Sequence, residues 1–307
     1  MPNPEITASR EATSHRLLVG DARYVLEQED ADSVDLVMTS PPYADARKES
    51  YGGVRPDEYV EWFLPIGEQL QRVLKPTGSF ILNIKESCHN GERHPYVLEL
   101  ILALRDQGWL WTEEFVWAKS HCYPGKWPNR FRDAWERVLQ FNKQRNFAMY
   151  QDAVRVPAKA STIARGKNLR PGDQLQVVSG SGSGLSRRMA SCVRIESATN
   201  SRFGHNATGF LDRTLVYPDN VLHLPVETRN RGHSAVFPEA LPDWFIRLFT
   251  VPGDTVLDPF TGSGTTNAVA KKLGRNSIGI DRLPRYVALA QARVDAVRPI
   301  VSTEAAS

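Results

Sequence analysis

Two short stretches of this sequence combine residue types whose spacing could do chemistry. The first is Ser40-Pro41-Pro42-Tyr43, directly behind the apolar run Val34–Met38. An amine attached to an aromatic ring is a poor nucleophile, because its lone pair is delocalised into the ring. Acceptors placed on its two N–H bonds favour the pyramidal geometry in which the lone pair is freed. Pro41 fixes the backbone and presents a carbonyl acceptor, Ser40 offers a hydroxyl oxygen, and Tyr43 offers a ring face for stacking. No covalent enzyme intermediate is needed. The same four residues also read as a proline turn that ends a strand, since proline cannot donate to a ladder.

The second stretch is Asp258-Pro259-Phe260-Thr261-Gly262-Ser263-Gly264-Thr265-Thr266, which runs from a strand end into a helix. Glycines at 262 and 264 let the backbone turn tightly and approach a ligand without Cβ obstruction. Asp281 follows the next apolar run, 23 residues after Asp258. An acid at that place can accept from ribose hydroxyls, as in other nucleoside-binding α/β folds. A lone glycine turn also reads as a structural connection; the strand, paired glycines and second acid together favour a nucleoside ligand. A phosphate loop is excluded because no Gly-Lys-Ser/Thr follows.

The elements that must position these stretches alternate between the two periods. His15–Val19 and Val34–Met38 read as strands. From Pro56, apolar positions Tyr59, Trp62, Phe63, Ile66, Leu70, Val73 and Leu74 follow helical spacing as far as Lys75-Pro76-Thr77-Gly78. Ser79–Ile84 reads as a buried strand, Pro95–Gln107 as a helix, and Trp111–Trp117 and Arg137–Phe141 as strands. Order resumes at Pro238 with a helix marked by Leu241, Trp244, Phe245, Leu248 and Phe249. Strands Thr255–Asp258 and Asn276–Ile280 then alternate with helices Gly264–Leu273 and Leu283–Val297. This alternation predicts a single parallel-type sheet with helices on its faces. Trp62 and Trp244 fall on predicted core faces.

Residues 143–230 break the pattern: they are basic, poor in apolar periodicity and interrupted by the Gly/Ser run 179–184. Fourteen lysines and arginines face six acids between Lys143 and Arg231, although the whole chain carries only +3. A basic segment on a mildly acidic body is the footprint of a polyanion binder, and equally of a solvated loop region. Within it Arg187-Arg188 could clamp phosphates. Outside it, Trp127 between Lys126 and Arg130 is the better placed tryptophan for nucleic-acid contact. The expected organisation is a terminus 1–14, a catalytic half 15–142, a basic target-recognition region 143–230, a cofactor half 231–298 and a terminus 299–307.

Other classes find no support. The first fourteen residues lack a signal-peptide core, and no apolar run approaches the roughly twenty residues that span a bilayer. Cys88, Cys122 and Cys192 are isolated and odd in number, which suits a reducing cytosol. Without CxxC or HExxH, and with His121 and His205 unaccompanied, no metal is expected.

Together, Thr39-Ser40-Pro41-Pro42-Tyr43 near the start and Asp258 to Thr266 near the end resemble the β-group of DNA amino-methyltransferases, in which the catalytic tetrapeptide precedes the cofactor motif. The resemblance covers most of the chain outside 143–230. It implies a Rossmann-like methyltransferase sheet in circularly permuted order, with an inserted target-recognition region, and S-adenosyl-L-methionine as cofactor. It implies catalytic roles for Ser40, Pro41, Pro42 and Tyr43. Cofactor contacts follow at Asp21, Phe237, Asp258, Pro259, Phe260, Thr261, Gly262, Ser263, Gly264 and Asp281, Asp21 lying near the adenine. Asn83 and Lys85 fall in the strand after the catalytic one, while 117–120 and 135–141 resemble segments lining the target pocket.

The Ser form of the tetrapeptide leans toward N4 of cytosine, with adenine N6 the alternative; a C5 enzyme needs a cysteine after proline, which is lacking. As partners the resemblance implies double-stranded DNA, and admits a cognate restriction endonuclease and a homodimer, in a bacterial cytoplasm. Ser40 and the permuted order speak against a methyltransferase for protein glutamine, while one for RNA stays as a lesser alternative. Intact Ser40, Tyr43, Gly262 and Asp281 speak against an inactive DNA-binding module.

Overall fold

The computed structural model describes residues 13–45, 53–89, 91–121, 129–158, 175–176, 192–193, 215–227 and 237–299. The first half contains β1 (His15–Val19), α1 (Ala22–Leu26), β2 (Val34–Thr39), α2 (Tyr59–Val73) and β3 (Leu74–Ile84). A short pair follows, β4 (Cys88–His89) and β5 (Glu92–Arg93), then α3 (Tyr96–Asp106), β6 (Leu110–Lys119) and β7 (Trp135–Asn142). Short strands β8 (Val156–Pro157), β9 (Leu175–Gln176), β10 (Cys192–Val193) and β11 (Leu215–Val216) precede β12 (Val221–Leu224). The chain closes with α4 (Ala240–Phe249), β13 (Thr255–Asp258), α5 (Thr265–Lys272), β14 (Asn276–Asp281) and α6 (Pro284–Asp295).

Eight strands form one sheet in the order β1-β14-β13-β2-β3-β7-β6-β12. From its middle, β2–α2–β3 runs one way and β13–α5–β14 the other. Right-handed crossovers in opposite directions place their helices on opposite faces. Accordingly α1, α2 and α3 pack together as one layer, and α4, α5 and α6 as the other. Between β2 and β13, where Leu36 and Val37 pair with Val256 and Leu257, the order reverses. Ligands of open α/β sheets bind beyond the strand ends at such a point.

The periodicities hold where burial demands them. Tyr59, Phe63, Ile66, Leu70 and Val73 line the inner face of α2 and are buried against Tyr96, Val97, Leu100 and Leu104 of α3. The centre of β3 is buried continuously from Ser79 to Ile84, as befits a strand covered on both faces.

Two expectations need correction. The sheet is mixed: β7 pairs antiparallel with both β3 and β6, while the other pairs of the sheet are parallel. An apolar run reports burial and carries no sign for direction. Leu74, expected to end α2, instead opens β3 and pairs with Val34. The chain divides into two compact units, Met1–Ala153 with Asp219–Ser307, and Val154–Pro218. The larger holds the eight-stranded sheet, including β12 beside β6. Lys143 is tied into it through Asp32 Oδ1 and the Leu74 carbonyl, both at 2.7 Å. In the smaller unit the described residues form two short antiparallel pairs, β8 with β11 and β9 with β10. The Gly/Ser run and both expected termini, apart from residues 13–14 and 299, lie outside the described residues. Among the described residues no helix is long and apolar enough to cross a membrane, and no cluster of metal-binding side chains occurs.

Candidate active site

Parallel strands put their carboxyl ends on one edge, and an antiparallel strand puts its amino end there. The ends of β2, β13 and β14 therefore meet the start of β7, around a cavity of about 510 Å³. That size lies in the ~300–1,000 Å³ range of small-molecule sites. Ser40 and Asp258 share its wall although 218 positions separate them in sequence.

On one side lies the glycine turn. Thr261 N–H donates to the Ile280 carbonyl at 2.9 Å, which lays the turn over the end of β14. Gly262 and Gly264 have φ of +50° and +74°. At Gly264 an added Cβ would lie 2.7 Å from Ala290 Cβ and 2.8 Å from its Cα, so glycine also lets α5 dock on α6. Asp281 accepts from the N–H groups of Gly262 (3.1 Å) and Leu283 (2.8 Å). Asp258 accepts from the hydroxyls of Thr39 (2.6 Å) and Thr266 (2.8 Å), and from Phe260 N–H (3.1 Å). Burial pushes the Asp258 carboxyl up to about 6 and raises Asp281 as well, although these bonds oppose the shift. Both acids therefore anchor the turn while facing the cavity.

Asp21 lines the same cavity, caps α1 through Arg23 N–H at 3.0 Å and pairs with the Arg23 guanidinium at 2.8 Å. Phe237, Pro259, Phe260, Thr261 and Ser263 line it too. Trp62, expected in the core, is only partly buried and faces the cavity with its ring 5.7 Å from that of Phe260. A helical face specifies which side turns inward; it does not distinguish a packed interior from a cavity wall.

Across the cavity Ser40, Pro41, Pro42 and Tyr43 meet Asn83 from β3, Lys119 from β6 and Glu136 from β7. The Pro42 carbonyl accepts from the Tyr59 hydroxyl at 2.9 Å, which fixes the tetrapeptide. Glu136 is only 7% exposed, and it accepts from Tyr43 Oη (2.7 Å), Asn83 Nδ2 (3.0 Å) and Lys119 Nζ (2.6 Å). Burial would raise its carboxyl, but the Lys119 charge and these bonds outweigh it and hold it below the usual carboxylate range. The Tyr43 hydroxyl, by contrast, is pushed well above its ordinary value by burial and by Glu136, so it remains protonated.

These facts fix the direction of a hydrogen-bond chain. A carboxylate only accepts, so Tyr43 must donate to Glu136. Asn83 likewise turns its amide N–H toward Glu136, and the same group reaches Tyr43 Oη at 2.7 Å and Ser40 Oγ at 3.3 Å. Ser40 in turn donates to Tyr43 Oη at 3.3 Å. Its proton is thereby committed, and its remaining lone-pair direction is left as an acceptor. The Tyr43 ring was expected to stack on a base; its hydroxyl also links Ser40 to a buried charge.

The sequence reading named Asn83 only for its place in the strand after the catalytic one, and marked Glu136 and Lys119 only within their segments. The available signal was a charged residue beside the otherwise apolar stretch Val138, Leu139, Phe141, since buried charges are rare unless paired. Of the expected DNA contacts, Lys126, Trp127, Arg187 and Arg188 lie outside the described residues. Arg130 forms an ion pair with Asp133 at 3.2 Å.

The sequence pattern of a DNA methylase family (N6_N4_Mtase) matches residues 34–292. The chain is 30% identical to the type II methyltransferase M.PvuII of Proteus hauseri, over 90% of this chain and 82% of that protein. It is 24% identical to the type II methyltransferase M.SmaI of Serratia marcescens, over 92% of this chain and 91% of that protein. The solved structure of PvuII DNA methyltransferase (cytosine-N4-specific) superposes with a TM-score of 0.65 at 26% identity, covering 96% of this chain and 89% of that one. A Thermus thermophilus protein solved with S-adenosyl-L-methionine shares the fold, with a TM-score of 0.56 at 22% identity over 91% and 93% of the two chains.

Proposed function

The chain belongs to the DNA methylase family, and from that premise we propose that it transfers a methyl group from S-adenosyl-L-methionine to the exocyclic N4 of a cytosine turned out of double-stranded DNA. The observation that carries the reading is the chain Ser40–Tyr43–Glu136, set in the same cavity as Asp258 and Asp281. The cytosine-N4 specificity of the similar PvuII enzyme supports the choice of atom.

The donor set fits the cofactor. Asp281 is assigned to the ribose hydroxyls and Asp258 to the cationic amino-acid end, with the backbone of Gly262, Ser263 and Gly264 alongside. Asp21 and Phe237 are assigned to the adenine, and Pro259, Phe260 and Thr261 to the wall. When bound, this cofactor supplies an electrophilic methyl group and leaves as S-adenosyl-L-homocysteine. Ser40 Oγ and the Pro41 carbonyl accept from the two N–H bonds of the target amine and free its lone pair, and the amine gives up one of these two protons to water as it gains the methyl group. Tyr43 flanks the base. Glu136 holds the Ser40 hydroxyl in its accepting orientation. The target amine is hidden in a stacked duplex, so the base must leave the stack to reach this cavity.

Basic side chains between 143 and 230 are assigned to the DNA backbone, with Lys126, Trp127, Arg130, Arg187 and Arg188 among the contacts; affinity should then fall steeply with salt. The type II names of the relatives support a cognate restriction endonuclease as a further partner, and a bacterial cytoplasm as the setting. The test is digestion and mass analysis of nucleosides from DNA incubated with protein and cofactor. N4-methyldeoxycytidine is expected. N6-methyldeoxyadenosine would move the same residue roles to adenine, and neither product would reject the reading.

A further inference from the structure

Phe131 is 95% exposed, more than any other large apolar side chain among the described residues. An isolated exposed apolar residue is ordinary on a protein surface. This one stands on a pinned foot beside the cavity. Two residues on, the Asp133 carboxylate is held by Lys85 (2.9 Å), Arg93 (2.6 Å) and Arg130 (3.2 Å). Burial acts to raise the Asp133 carboxyl, but the bonds and charges of Lys85 and Arg93 hold it well below the usual range. Two residues before Phe131, Asn129 lies against the β4–β5 hairpin: a Cβ on Gly91 would come within 2.6 Å of its amide nitrogen.

This foot adjoins the Lys119 and Glu136 side of the cavity. Lys85 directly follows β3, and the Ala134 carbonyl accepts from the N–H of Lys119, a cavity residue, at 2.8 Å. Three residues span at most ~11 Å, so Phe131 cannot be farther than that from Ala134. Arg132 beside it is exposed, and Lys85, Arg93 and Arg130 gather on Asp133, with Glu86 also acting on Arg93.

We propose that Phe131 enters the DNA duplex at the gap left by the extruded base and stacks on the bases that flank it. The proposal rests on the DNA methyltransferase reading above. Apolar side chains inserted between base steps are a general means of holding an unstacked duplex, and here the ion pairs of Asp133 anchor the backbone that carries the exposed ring.

The test compares Phe131→Ala and Phe131→Trp with the unaltered protein on a duplex carrying the site that modification-sensitive sequencing of treated DNA locates. A second duplex has an abasic position opposite the target, which lowers the energy needed for extrusion. Phe131→Ala should lose about 10- to 100-fold in kcat/KM on the paired duplex, the scale of one aromatic–base stack. It should lose far less on the abasic duplex, and Phe131→Trp should stay close to the unaltered rate on both. Unchanged cofactor affinity will show that the variants are folded. Equal loss on both duplexes, or no loss on the paired one, would overturn the proposal. So would a concentration-dependent dimer abolished by Phe131→Ala with DNA kinetics intact, which would make the ring a contact for a second copy. Absence of methyl transfer by the unaltered protein would instead reject the underlying reading, and the wedge with it.

Discussion

Replacing Glu136 by glutamine tests whether the buried charge directs catalysis or merely balances Lys119. Glutamine preserves the shape and converts one carboxylate oxygen into an N–H donor. Two effects follow, with different readouts. Lys119 loses its counter-charge in a site where the two side chains are only 16% and 9% exposed. Removing one member of a buried pair costs ~3–5 kcal/mol, and the partial access of Lys119 to solvent brings the expectation toward ~2–3 kcal/mol. Independently, an amide no longer obliges Tyr43 to donate to position 136. Once the new amide donates to Tyr43 Oη, the tyrosine proton turns to Ser40, and the serine proton turns into the cavity against the N–H of the target amine. Loss of one preorganised polar partner predicts a rate lower by ~10²–10³. Single-turnover methyl transfer measures the rate, calorimetry the cofactor affinity, and thermal unfolding the stability. Cofactor affinity should be unchanged, since Asp258 and Asp281 are untouched. The double variant Lys119→Met, Glu136→Gln should regain stability without regaining rate. A Glu136→Gln protein with the unaltered rate, or a double variant that recovers it, would falsify the proton-direction argument.

Ser40→Ala should remove an acceptor from the amine and slow methyl transfer by ~10²–10³ with little change in cofactor affinity; a rate within the scatter of the unaltered protein would reject the acceptor role. Asp258 has its carboxyl raised to about 6. Its protonated form therefore persists in the fold above the ordinary range, and a cationic ligand group must expel that proton. Cofactor affinity should accordingly rise as pH increases from 5 to 7, with proton release near pH 6 visible by calorimetry in buffers of different ionisation enthalpy; a flat profile would remove Asp258 from the cationic end. Gly264→Ala combines φ of +74° with a Cβ 2.7–2.8 Å from Ala290, a cost of about 2–4 kcal/mol. A lower unfolding midpoint with weakened cofactor binding is expected, and an unchanged midpoint would show that α5 and α6 can separate freely.

What the sequence alone determined was local. The strands ending at Met38 and Asp258 were legible because central strands must be apolar on both faces. The two loops behind them were legible because Pro41 and Pro42 cannot continue a ladder and Gly262 and Gly264 accept conformations other residues resist. Asp281 was legible through its spacing from Asp258. Tertiary structure decided who meets whom. Burial patterns carry no sign for strand direction, so the reversal of β7, which delivers Glu136 to the site by its amino end, was not readable from Val138, Leu139 and Phe141. Four residues of β12 are too short for a periodic signal against a basic background. The inward face of α2 was read correctly, yet whether Trp62 there meets packed side chains or a cavity depends on the opposite wall. The acceptor state of Ser40 depends on Tyr43, Asn83 and Glu136 at once. Hydrogen-bond direction belongs to a network of groups from two strands and a loop, and it exists only once the sheet has brought each within 3.3 Å of the next.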